Sequence, residues 1–349
     1  MEAADAGSQQ AGSTGKGPVR VAILGAGRIA HHMAQTLQLM RSDPRYRDLV
    51  EPYAVASRSL ERAQVLSQLY AIPHTYGSYQ ELLENPNVDL VYIATPHSLH
   101  AQQAKDCLEA GKHILVEKSF TLNAKQAQVV IDLARSKGLL CAEAIWTRYM
   151  PSRDLLAQIL SSETIGKIRA ASASLCYPTT HKPRIVDPAL GGGALLDVGV
   201  YSLNFIDMVF GGRQPKQMQT TAAMYATGVD ESNSTTLVYA DGSMGVASSS
   251  MSVACDRTGS IWGSEGYIVC HNINNIEAID VYGADHQLLD HHEVPGQLTG
   301  YEYEVEAAAR AIQAGQVECP QMPHNTTIRM MEWMDAIRAQ WGMHYPSEA

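Results

Sequence analysis

A glycine-rich turn placed directly after a short apolar run constrains this chain more than any other feature. The run Val19-Arg20-Val21-Ala22-Ile23-Leu24 leads into Gly25-Ala26-Gly27-Arg28-Ile29-Ala30, a GxGxxA pattern, and Ile29, Met33 and Leu37 continue at helical spacing. Gly25 suits a tight strand-to-helix turn, Gly27 lets backbone approach a pyrophosphate, and the small Ala30 lets helix pack on strand. The helix N-terminus adds free N–H groups and the positive end of its dipole. A lone GxGxxA is sometimes only a turn. It gains weight when a strand precedes it, a helix follows and further units of the same kind come after.

Such units do follow. PYAVAS, LVYIAT, HILVE and LLCAE are compact, β-branched-rich runs suited to buried parallel strands. Between them, Leu60 to Tyr70 carries Leu60, Ala63, Leu66 and Leu69 on one helical face, and Asn123 caps a helix reaching Ser136. This alternation predicts an α/β fold, with a doubly wound parallel Rossmann sheet over residues 19–143. From residue 144 to 349 the texture changes. A helix at Ser152 to Leu160, the strand-like IRAASASLCY and the apolar helix Ala194 to Phe210 precede several strand-like runs with a hairpin signal at Asp241-Gly242. Helices at Glu302 to Ala314 and Thr327 to Trp341 close the chain. This second part reads as an α+β substrate-binding and dimerisation domain with a large, mainly antiparallel open sheet. Residues 1–18, rich in Gly, Ser, Ala and Gln, read as a disordered tail.

Bulk properties narrow the function. A chain of 349 residues divides naturally into two cores. A formal charge of -10, without any stripe of lysine and arginine, argues against nucleic acid as partner. No apolar run approaches a membrane span, so no membrane is expected either. Six cysteines without a CxxC pair or a secretory signal point to reduced thiols in the cytoplasm.

The second strand ends at Ala56, followed by Ser57-Arg58-Ser59. An NAD-preferring site usually places a carboxylate there for the ribose 2′-OH. Here Ser57 and Arg58, with Arg62 a turn further, are able to receive a 2′-phosphate instead, which favours NADP(H) over NAD(H). Ligands of open α/β sheets bind beyond the carboxyl ends of the strands. Polar residues gather at three such ends: Thr95-Pro96-His97 with His100, Glu117-Lys118-Ser119, and Glu143 with Trp146. Asp197 and Tyr201, four apart, share a helical face, with Asn204 following on the same side. A lysine ammonium beside a tyrosine lowers the phenol pKa from about 10 and makes proton exchange with a hydroxyl or carbonyl feasible.

GAGRIA, ATPHSLH, EKS and GGGALLDVGVY, in this order, resemble the glucose-fructose oxidoreductase/inositol dehydrogenase/MocA family. EAIWTRYMP and PRIVD resemble its branch of dihydrodiol dehydrogenases and NADP-dependent D-xylose dehydrogenases. The resemblance covers the chain after the tail. It implies that Lys118, Asp197 and Tyr201 are catalytic: Tyr201 as acid/base, Lys118 tuning it and binding the reacting oxygen, Asp197 orienting the pair. Gly25, Gly27, Arg28, Ile29, Ser57, Arg58, Arg62, Thr95, Pro96, His97, His100, Glu117 and Lys118 are the expected cofactor contacts. Trp146 and Arg148 are expected at the nicotinamide end. Trp146, Arg184 and Tyr201 are the expected substrate contacts. Where relatives have proline after the lysine, often to fix a cis peptide, this chain has Ser119; either the bond is cis before serine or Lys118 is held differently.

The resulting expectation is an NADP(H)-dependent oxidoreductase for a sugar, vicinal diol or dicarbonyl, in a homodimer. The same scaffold also serves non-catalytic sugar- or dinucleotide-sensing regulators and glycosidases that retain NAD without net redox change. Asp290-His291-His292-Glu293 looks metal-binding, but adjacent strand residues face opposite ways, so no metal is expected. The methionines and tryptophan of MMEWM at 330–334 read as core packing. His31 is placed either on phosphate or in solvent, and Tyr301 and Tyr303 either at the cleft or packed at a helix start.

Overall fold

The computed structural model describes residues 17–348; residues 1–16 of the expected tail lie outside them. The first half alternates β1 (Val19–Leu24), α1 (Arg28–Ser42), β2 (Val50–Ala56), α2 (Leu60–Tyr70), β3 (His74–Tyr76) and α3 (Tyr79–Glu84). It continues through β4 (Leu90–Ile93), α4 (His97–Glu109), β5 (His113–Glu117), α5 (Ala124–Lys137) and β6 (Cys141–Ala144). The six strands form one parallel sheet in the order β3-β2-β1-β4-β5-β6, so the chain reverses its winding beside β1. Ligands of such sheets sit at that switch point. β4 is buried along its whole length, as a strand covered on both faces must be.

Local signals act as read: Asn123 accepts the Gln126 N–H at the start of α5, and α2 runs from Leu60 to Tyr70. The apolar face of α2 is narrower than its spacing implies, for Ala63 and Leu66 are buried whereas Leu60 and Leu69 are exposed. The helix lies at the rim of the sheet and needs only a thin stripe.

The second half opens with α6 (Pro151–Ser161), β7 (Ile168–Cys176), the single turn α7 (Pro183–Val186) and α8 (Val200–Val209). There follow β8 (Gln217–Met224), β9 (Asp230–Val238), β10 (Met244–Ser250), β11 (Gly259–Gly263), β12 (Gly266–His271), β13 (Ala278–Gly283) and β14 (Leu288–Glu293). Helices α9 (Glu302–Gln313) and α10 (His324–Trp341) complete it. The eight strands pair in the order β14-β13-β12-β11-β7-β10-β9-β8; every pairing is antiparallel except β7 with β10. β9 and β10 join at Asp241-Gly242, where Gly242 takes φ +81°. Met330, Met331, Trp333 and Met334 of α10 are core residues, as their spacing implies.

One sequence expectation needs correcting. Pro188–Val209 is long and apolar enough to cross a membrane by length and composition, with a mean hydropathy of 1.3 in its most apolar window. That window is 83% buried inside the protein, and α8 packs on β7 and β10, so its apolarity serves the core. The same stretch is an uneven helix. A π-helical segment at Leu195–Gly199 precedes α8, with Val200 N–H reaching Leu195 O five residues back.

Candidate active site

A cleft of about 910 Å³ lies over the carboxyl ends of β1, β2, β4 and β5 and is closed from the other side by residues around β7, the π segment and α9. Gly25, Gly27, Arg28 and Ile29 form its floor at the switch point. Gly25 takes φ +120°, and a Cβ there would stand 2.6 Å from the Ala94 carbonyl oxygen. At Gly27 the backbone is extended and a Cβ would meet nothing within 4 Å. The first glycine therefore serves the turn, and the second keeps clear the space above α1. Among the described residues no side chain caps α1, which leaves its first-turn N–H groups for an anion, and Ala30 is fully buried under the helix. These are the features a dinucleotide pyrophosphate requires.

Beyond β2, the cleft is lined by Ser57, Arg58, Ser59, Arg62 and Tyr79, with no carboxylate among them. Ser59 accepts the Arg62 N–H, and Arg62 Nη2 donates to Ala26 O at 2.7 Å, tying α2 to the glycine turn. Burial raises the Tyr79 phenol pKa, with Arg58 and Arg62 opposing the rise. Sequence reading passed over Tyr79, which arrives on α3, a short element with little pattern of its own.

Thr95, Pro96, His97 and Glu117 also line the cleft. His97 Nδ1 meets Gly191 O at 2.8 Å, and burial pushes its pKa down to about 3, so the ring is neutral. His100 corrects the sequence reading. It is fully buried behind the wall, its ring nitrogens 2.9 Å from Ser119 O and Thr95 O, and it holds the two loops together without facing the cleft. Glu117 is bonded to the Tyr92 hydroxyl, and burial raises its pKa. Glu143 also sits behind the wall, where burial pushes it up to about 7; its neighbour Ala144 reaches the cleft.

Lys118, Asp197 and Tyr201 converge. Lys118 Nζ donates to Asp197 O at 2.5 Å and lies 3.5 Å from Asp197 Oδ1 and 5.0 Å from the centre of the Tyr201 ring. The Lys118-Ser119 peptide is cis, which resolves the alternative left by the missing proline. Ser119 Oγ donates to Leu196 O at 2.9 Å. The end of β5 is thus bonded twice to carbonyls of the π segment, in keeping with the tendency of such segments to occur at functional sites. Arg184 Nη1 holds Asp197 Oδ1 at 3.0 Å. Burial alone would raise the Asp197 pKa, but Lys118 and Arg184 outweigh it and keep the carboxylate ionised.

Tyr201 departs from expectation. Its pKa is raised well above 10, first by burial and then by neighbours including Tyr301, Glu117 and Asp197. Lys118 lies against the ring, and its charge does not overcome these effects.

Trp146 lines the cleft, stacked on Tyr301 with ring centres 4.4 Å apart, and its Nε1 donates to Asn274. Tyr301 also stacks on His32 at 6.2 Å. His31 instead contacts Tyr70 edge-on, and Tyr303 is not among the lining residues. Arg148 is the second correction. It points away, donating from Nε to Asn204 Oδ1 at 2.7 Å and from Nη2 to Asp207 Oδ2 at 2.6 Å, while Arg329 takes the other Asp207 oxygen at 2.9 Å. Asn204 is thereby removed from the Asp197 face. Tyr177, Thr179, Lys182 and Asn274 complete the wall, and sequence reading named none of them. Among the described residues no group of three metal-ligating side chains occurs, and β14 carries its Asp-His-His-Glu run along an exposed edge.

A parallel six-stranded switch-point sheet, a phosphate-ready glycine turn and a facing sheet that closes the cleft define a two-domain nicotinamide-dinucleotide oxidoreductase. Residues 19–144 match the oxidoreductase family with NAD-binding Rossmann fold, GFO/IDH/MocA, and residues 154–269 match the GFO/IDH/MocA C-terminal domain. The chain belongs to this family. It is 33% identical over 335 residues to trans-1,2-dihydrobenzene-1,2-diol dehydrogenase of Macaca fascicularis, spanning 95% of this chain and 99% of that one. The Homo sapiens protein of the same name is 32% identical over the same spans. KijD10, a 3-ketoreductase from Actinomadura kijaniata solved with NADP and TDP-benzene, superposes with a TM-score of 0.81 at 26% identity, covering 92% of this chain and 97% of that one. Levoglucosan dehydrogenase, 20% identical over 93% and 97% of the chains, shares the fold with a TM-score of 0.81.

Proposed function

We propose that this protein is an NADP(H)-dependent dehydrogenase or reductase acting on a sugar, a vicinal diol or a dicarbonyl, with Tyr201 as acid/base. The observation that carries the reading is the convergence of Lys118, Asp197 and Tyr201 on one cleft with the glycine turn. The bound nicotinamide supplies hydride transfer. The chain's own residues handle the proton and the geometry. Tyr201, kept protonated by burial, donates its hydroxyl proton to a carbonyl oxygen and recovers it in the reverse direction. Lys118 binds that oxygen, and Asp197, clamped by Arg184, orients Lys118. Trp146 on Tyr301 walls the nicotinamide end.

Choice of NADP(H) rests on Ser57, Arg58, Ser59 and Arg62 at a ribose end without a carboxylate, and KijD10 was solved with NADP. The substrate class is supported by the names of the relatives, a diol dehydrogenase and a ketoreductase. Six free thiols suit a cytoplasmic setting, and Met244 and Trp262, exposed on the outer side of the second sheet, suit a homodimer face. A monomer mass by light scattering at micromolar concentration would remove the dimer from the reading.

The test is absorbance at the NADPH band across aldoses, diols and dicarbonyls. Turnover is expected with a clear kcat/KM preference for NADP(H), and Tyr201→Phe should abolish it while the NADPH Kd holds. Full activity in Tyr201→Phe, or a preference for NAD(H), refutes the corresponding part.

A further inference from the structure

Among the described residues the lining of the cleft holds six cations, Arg28, Arg58, Arg62, Lys118, Lys182 and Arg184, against two carboxyl groups, Glu117 and Asp197. Asp197 is already engaged by Lys118 and Arg184, and Glu117 is bonded to Tyr92. Arg58 and Arg62 belong to the far ribose end, and Arg28 stands beside the glycine turn where a pyrophosphate would lie. Lys182 is left over. It lies on the facing wall with Tyr177, Thr179 and Arg184, and no hydrogen bond or ion pair to its ammonium is found among the described residues.

Its backbone is also anchored. The loop that carries it is held by main-chain bonds from Tyr177 N to Ser250 O, Thr179 N to Met251 O, Lys182 N to Thr179 O and Ile185 N to Lys182 O. Burial together with repulsion from Arg28 and Arg184 lowers its pKa, with the Asp197 carboxylate opposing the fall. A half-buried ammonium with Arg28 across the cleft, Arg184 beside it and the Asp197 carboxylate already paired with Lys118 and Arg184 is stabilised by a mobile anion.

We propose that the substrate carries an oxyanion, a carboxylate or a phosphate, which Lys182 binds while the reacting carbon faces Lys118 and Tyr201. This rests on the oxidoreductase reading for the chemistry but is testable by binding alone. Isothermal titration of NADPH-saturated protein with D-glucose, D-glucuronate and D-glucose 6-phosphate reads it directly, and the two acids separate carboxylate from phosphate. At least one acid is expected to bind about 10- to 100-fold more tightly than glucose. Lys182→Gln should erase that preference with NADPH affinity unchanged, and Lys182→Arg should retain it. Equal affinity for all three sugars overturns the proposal. So does a Lys182→Gln variant that loses NADPH binding, since Lys182 would then hold the pyrophosphate. Tight, Lys182-dependent binding of an acid, with no turnover of any aldose, diol or dicarbonyl with either NADP+ or NADPH, would leave the proposal standing and defeat the catalytic reading instead.

Discussion

The two glycines of the turn have separable jobs, and replacing each by alanine should separate fold from ligand. In Gly25→Ala the new Cβ would sit 2.6 Å from Ala94 O and 3.1 Å from Ala94 C, at φ +120°. Neither side is free to yield: Gly25 N donates to Ala56 O at 2.9 Å, and Ala94 N donates to Leu24 O at 2.8 Å. The disfavoured dihedral costs about 1–3 kcal/mol and the overpacking about as much again, roughly 4 kcal/mol together. At about 2 °C per kcal/mol for a chain of this size, the melting temperature should fall by roughly 8 °C. In Gly27→Ala the Cβ meets nothing and φ is -92°, so only the weaker capping preference is lost, about 1 kcal/mol. That Cβ would occupy the space above the α1 N-terminus and displace a phosphate from at least one charge-assisted N–H bond. The NADPH Kd should then rise about 10- to 150-fold. Thermal melts without nucleotide and fluorescence titration with NADPH measure the two effects. A Gly25→Ala protein that melts like the parent, or a Gly27→Ala protein that binds NADPH like the parent, would refute the division of labour.

Two further outcomes follow from the buried charges. Arg148→Ala should cost about 3 kcal/mol in a urea melt, the low end for a broken buried pair because Arg329 still holds Asp207, with kcat/KM of the folded enzyme unchanged; unaltered stability with lost activity would return Arg148 to the cleft. Glu143 ionises near 4.5 when unfolded and near 7 when folded, so the folded state binds more protons between those values. Its contribution therefore makes stability fall as pH rises from about 5 to 7, then level off, by on the order of 3 kcal/mol. Glu143→Gln should gain on the parent over that window in melts taken from pH 5 to 8, and a constant gap at every pH would contradict the raised value.

The division between legible and hidden features follows the range of the interactions. Sequence alone determined the strand–helix alternation of the first half, the Asn123 cap, the Asp241-Gly242 hairpin and the core role of MMEWM, because each depends on residues within a turn or a period of one another. The Lys118, Asp197 and Tyr201 set was legible through the order of its motifs. Tertiary structure alone decided which polar side chains face the cleft. Arg148 and Trp146 are two residues apart, yet Asp207, 59 positions away, takes Arg148 out of the site, while Tyr301 stacks on Trp146 within it. Lys182 was hidden for the same reason: a loop cation is ordinary until the fold shows that no carboxylate among the described residues pairs with it and that it lines the cleft.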